Sequence, residues 1–235
     1  MTTSRTDSTG GFDLPAVVGI ARRAVRGSAR SAASFAPSRP TVAGWAIASA
    51  ALSPILLVGA WAVADNRQPA PYSPVRQTMS VLAGHAATDR WIVTGAIVVA
   101  SVCYLVTALG LTGVRASARV VLALAGVSGM GIAASPEPVH GSTPQHLAWT
   151  AVGAVALAVW PAFVARRRPP RPRPLVLSVH GSATVTAVFV ALLGWVFIET
   201  RGGSALGLAE RVTTTVQMSW PLFVALALRR SQPGA

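Results

Sequence analysis

Lysine is absent from this chain of 235 residues, so all 20 basic side chains are arginine, which keeps its charge under any physiological condition. Charge of either sign is scarce. Only 11% of residues are charged, where a soluble domain carries about a quarter. Acidic residues number 7, which leaves a formal charge of +13. The single cysteine, Cys103, lies in an apolar run, so no intrachain disulfide forms and the redox compartment cannot be read from it. No cleavable signal peptide is expected, because the only early apolar stretch, Leu14 to Ile20, is short and ends at Arg22 and Arg23.

What is present is apolar sequence, 52% of the chain, gathered into long uncharged runs between short charged loops. That is the pattern of a chain solvated by a bilayer, since ~20 apolar helical residues cross the hydrocarbon core. Six runs qualify: 42–64, 92–111, 117–134, 147–164, 175–198 and 212–228. The third is the shortest and has Arg119 near its start, which leaves a five-span count with this segment re-entrant as the alternative. The arginines favour six spans with both termini cytoplasmic. On that count Arg5, Arg22, Arg23, Arg26, Arg30, Arg39, Arg115, Arg119, Arg166, Arg167, Arg168, Arg171, Arg173, Arg229 and Arg230 lie inside. Arg67, Arg76, Arg90, Arg201 and Arg211 lie outside, in accord with the positive-inside rule. The expected fold is therefore all-α, a polytopic membrane bundle of six transmembrane helices in the cell membrane. A pI near 11.9 raises the question of nucleic acid, but the arginines flank apolar spans, and no nucleic-acid partner is expected.

Residues 1–40 read as a basic cytoplasmic arm ahead of a transmembrane domain at 41–230. Within the arm, 13–30 has the pattern of an amphipathic surface helix, with Leu14, Val17, Val18, Ala21 and Val25 on one face and arginines opposite. A disordered arm that only fixes topology explains the charge equally well. The first external loop breaks at Pro69, Pro71 and Pro74. Ser73 before Pro74 is a helix start, and Val75, Met79 and Leu82 recur at helical spacing up to Gly84, which predicts a short external helix over 74–83. Trp160-Pro161 and Trp220-Pro221 sit alike near the ends of two spans; interfacial tryptophan accounts for that better than an internal repeat does.

The run from Tyr72 to Ala83, Tyr-Ser-Pro-Val-Arg-Gln-Thr-Met-Ser-Val-Leu-Ala, resembles the signature after the first span of a bacterial family, domain of unknown function 998. Arg90-Trp91 at the head of span two and the loop from Pro136 to His146 fit the same pattern, and the likeness covers roughly residues 42–228. The resemblance implies a six-span integral membrane protein and carries no settled activity with it.

Chemistry-bearing residues collect on the expected outer side. Five outer carboxylates (Asp65, Asp89, Glu137, Glu199, Glu210) balance five arginines, which suits ion pairing between loops. Three sharper readings compete with that one. Arg76, Arg90, Arg201 and Arg211 have the donor geometry to bind an anionic head group of a lipid or other amphiphile. Ser73 or Ser80 with His146 and Asp89 supplies the residue types of a hydrolase triad, though no Gly-x-Ser-x-Gly elbow accompanies them. Glu137, His140 and His146 supply three weak candidates for metal ligands, but the two histidines are not at the i, i+4 spacing that places both on one helical face. The leading expectation is a non-enzymatic protein that binds a lipid or partner at its outer face, with a membrane-embedded hydrolase as the alternative; no cofactor is called for, and oligomeric state is not legible. Permeation ranks third, because no acidic residue lies at mid-membrane. Gly126, Gly129 and Gly131 read as a close-packing stripe, not as a dinucleotide loop.

Overall fold

Every long apolar run is helical in the computed structural model, which describes residues 42–165 and 174–231. The basic arm at 1–40, its helix at 13–30 and the arginines between Arg166 and Arg173 lie outside the described residues. Among the described residues there are seven α-helices and no strand: α1 Gly44–Asp65, α2 Met79–Ala83, α3 Trp91–Gly110, α4 Ala116–Ala134, α5 Pro144–Val164, α6 Val179–Glu199 and α7 Leu206–Arg230. Five of them, α1, α3, α4, α5 and α6, are long and apolar enough to cross a membrane. Helix α7 is the longest at 25 residues, but it starts before its apolar stretch and carries Glu210 and Arg211 in its first turns.

The six long helices pack in chain order, each on the next, and α7 returns to α1. Small residues set the closeness of these contacts. A Cβ on Gly126 of α4 would stand 2.9 Å from the Ser101 carbonyl oxygen of α3. Gly129 likewise abuts the Ser101 side chain, Gly131 the Trp149 ring, and Gly153 of α5 the Ser128 hydroxyl. Without side chains at these points the backbones approach, and dispersion and hydrogen bonding supply the attraction that lipid-exposed helices lack from hydrophobic burial. Trp160 is buried and its indole N–H donates to the Ala118 carbonyl at 2.7 Å, tying α5 to α4.

Two helices start on side-chain caps. Thr143 accepts from the backbone N–H of His146 at 3.1 Å, with Pro144 at the first helical position, and Ser178 accepts from Gly181 at 2.9 Å. The first of these caps places His146 on the inward face of the first turn of α5.

The helix expected over 74–83 forms only from Met79 to Ala83, and residues 74–77 make a turn instead. The cause is tertiary. Continuing the helix would require the carbonyls of Pro74, Val75 and Gln77 to accept from within the segment. They accept instead from Arg211 Nη1 at 2.7 Å, Leu208 N at 3.0 Å and Arg211 Nη1 at 2.8 Å. Ser73 makes no side-chain cap; its backbone N–H donates to Gln77 Oε1 at 2.9 Å. Met79 and Leu82 are buried, while Val75 is exposed.

Candidate functional site

Two polar clusters flank α2. The first is built on Arg211, which is only 8% exposed. Besides the Pro74 and Gln77 carbonyls, its Nη1 reaches Gly207 O at 3.1 Å, and its Nη2 donates to Asp65 Oδ1 at 2.8 Å and Tyr72 Oη at 2.7 Å. Tyr72 in turn donates to Asp65. Burial, with the Asp65 hydrogen bond second, pushes the Tyr72 phenol well above its ordinary range. Neighbouring Glu210 accepts the backbone N–H of Met79 at 2.6 Å. This cluster pins the segment 72–79 to the start of α7 through the protein contacts of Arg211.

The second cluster is centred on His146, 2% exposed. Its Nδ1 lies 2.7 Å from the Ser135 carbonyl oxygen, its Nε2 lies 2.9 Å from Ser80 Oγ, and Glu137 Oε1 stands 3.7 Å from the same Nε2. A carbonyl oxygen only accepts, so Nδ1 carries the proton. A ring protonated at Nδ1 alone presents a lone pair at Nε2, to which a hydroxyl placed as Ser80 Oγ is, 2.9 Å away, would donate. The geometry is that of a base oriented on one side and hydrogen-bonded to a hydroxyl on the other.

This cluster opens onto a cavity of about 730 Å³ at the α2 end of the bundle, lined from all six long helices. Its wall is mostly apolar. Ser80, His146, Glu137 and Glu210 supply the polar end, with Thr213, Thr214 and Gln217 of α7 further along. The volume falls within the ~300–1,000 Å³ of small-molecule sites. Thr150, one helical turn beyond His146, also lines it, and its hydroxyl is buried with no hydrogen-bond partner among the described residues.

The remaining candidates are dispersed. Asp89 pairs with Arg67 at 2.7 Å on the surface and does not join His146. Ser73 is not on the cavity wall. Arg90 stacks on Trp91 with its Cζ 4.2 Å from the ring centroid and bonds His85 Nδ1 at 3.1 Å. Arg201 is exposed and lies 4.6 Å over the ring of Phe197, a residue of the cavity wall. Arg76 and His140 are exposed. Glu137 and His146 stand together without His140, and no group of three potential metal ligands forms among the described residues. Sequence reasoning missed Glu210 as a cavity residue and the Ser135 carbonyl as the partner of His146. A lone carboxylate beside an arginine at the head of an apolar helix was the available signal for Glu210; a backbone acceptor leaves none.

A family model described as "Protein of unknown function (DUF998)" matches residues 51–227, from within α1 to near the end of α7. No curated protein and no solved structure matches the chain.

Proposed function

We propose that this chain, which belongs to the DUF998 family, is an integral membrane protein that takes the acyl chain of an amphiphile into the cavity between its six long helices. The observation that carries this reading is the cavity itself, apolar along most of its wall and polar at one end. An acyl chain fits such a wall because it leaves no polar group unpaired there. The exposed guanidinium of Arg201, on the Phe197 rim, is positioned for an anionic head group, as Arg90 on Trp91 is for a neighbouring one. Arg76, just before α2, is a further exposed donor. In this reading α7 crosses the membrane as a sixth span, both termini are cytoplasmic, and the cavity lies in the outer half of the cell membrane, facing the outer leaflet.

Binding of cis-parinaric acid to the detergent-purified protein tests the proposal. Saturable fluorescence enhancement, displaced by a lysophospholipid, is expected; enhancement no greater than in protein-free micelles refutes it. Orientation has its own test, in a Cys103→Ala background. An impermeant maleimide applied to intact cells should label Ser142→Cys and leave Thr112→Cys unlabelled, and the reverse pattern inverts the topology.

A further inference from the structure

We infer that Ser80 and His146 form an acyl-transfer pair that cleaves a long-chain ester held in this cavity, with Ser80 as nucleophile and His146 as base; the inference rests on the amphiphile reading above.

Four features converge on this chemistry. Ser80 Oγ lies 2.9 Å from His146 Nε2, and a ring protonated at Nδ1 alone accepts the hydroxyl proton there, the contact through which a base activates a serine. The Ser135 carbonyl holds Nδ1–H, so the tautomer is fixed as an aspartate fixes it in the familiar triads, but by a neutral acceptor. The Glu137 carboxylate, 3.7 Å from Nε2, faces the atom where positive charge develops when the ring takes a proton. Finally, Ser80 is only partly buried and is itself part of the cavity wall, next to an apolar volume where a chain would lie. A serine that merely tied α2 to α5 would serve equally well sealed away from that surface.

The steps balance as an ester hydrolysis. Ser80 Oγ bonds to the ester carbonyl carbon as its proton passes to His146 Nε2. The tetrahedral intermediate collapses, the carbon–oxygen bond to the alcohol breaks, and the departing oxygen takes the proton from Nε2. Water then attacks the acyl-serine, giving a proton to Nε2. The Ser80–acyl bond breaks, the carboxylic acid leaves, and the proton returns to Oγ. Ester and water become acid and alcohol, and no other reactant is needed.

A hexadecyl fluorophosphonate probe, with 4-methylumbelliferyl palmitate as substrate, tests the pair on the full-length protein in detergent. Wild type and Ser142→Ala should be labelled alike, with the adduct on Ser80 by peptide mass spectrometry. Ser80→Ala and the size-matched Ser80→Cys should not be labelled. His146→Gln, which retains a hydrogen-bonding side chain but no base, should react ~10²–10⁴-fold more slowly. The size-matched Ser80→Cys and His146→Gln should keep melting points near wild type in detergent, so that their loss of reaction is a loss of chemistry and not of fold. Wild type that binds parinaric acid yet neither reacts nor hydrolyses overturns the acyl-transfer pair alone, as does equal labelling of Ser80→Ala. Wild type that fails to bind parinaric acid overturns this inference together with the proposal beneath it.

Discussion

The Arg211 cluster and the His146 cluster lie on either side of α2, both nearly out of solvent, and they dispose of their polar atoms in opposite ways. Arg211 directs its two terminal nitrogens to five oxygens of the protein and faces no open volume through them. The His146 ring makes two hydrogen bonds, and one of its partners, Ser80, forms part of a cavity wall. A buried charge closed in by acceptors fixes the chain; an imidazole beside an open volume is free to meet something else. Residue type alone would rank them the other way, because an outer arginine reads as an anion receptor and a helix-start histidine as a structural link.

Removing Arg211 should break that contrast most severely. Arg211→Ala strands Asp65 and the carbonyls of the 72–79 turn, and should cost about 3–5 kcal/mol, since an uncompensated buried charge remains. Thermal unfolding in detergent measures it; a melting point unchanged from wild type would show that the network does not hold the segment. His146→Ala should be milder, about 1–3 kcal/mol, for the Ser80 and Ser135 groups left unpaired. His146→Gln should recover much of that loss. If Gln and Ala variants melt alike, the hydrogen bonds of His146 contribute nothing measurable to stability. Filling the cavity should sharpen the contrast from the other side. Ala154→Phe, on the wall, should weaken parinaric acid binding ~10-fold, or about 1.4 kcal/mol, while leaving the melting point near wild type. Undiminished binding would move the ligand elsewhere.

The smallest effect concerns alkali. The Tyr72 phenol is raised in the folded protein, so the folded state disfavours its ionised form. The contribution is fully present below the unfolded value of about 10 and is lost as pH rises above it, because the unfolded chain ionises first. Tyr72→Phe should therefore flatten the fall in stability above about pH 10; an identical slope in both proteins would detach Tyr72 from that loss.

The helices were legible because the apolar runs are long and nearly all the charges are confined to the segments between them. What was not legible came from contacts distant in sequence. Helix α2 is cut to five residues because Arg211 and Leu208, more than 130 positions away, take the carbonyls that the turn at 74–77 would have used. Periodicity around Val75 carries no trace of that competition. At the site, His146 and Ser80 stood among the candidates, but Asp89 stood there as their third member on residue type. Its carboxylate goes to Arg67, and a backbone carbonyl, invisible to any motif, orients the ring in its place.

Ala151 and Ala154 of α5 form part of the cavity wall, so there the boundary is set by short side chains. Longer side chains at those two positions would shorten the cavity. Such a wall works as a ruler. Each added carbon on it shortens the longest occupant accommodated, so chains of different length would be sorted by where their ends meet the wall, independently of what happens at Ser80.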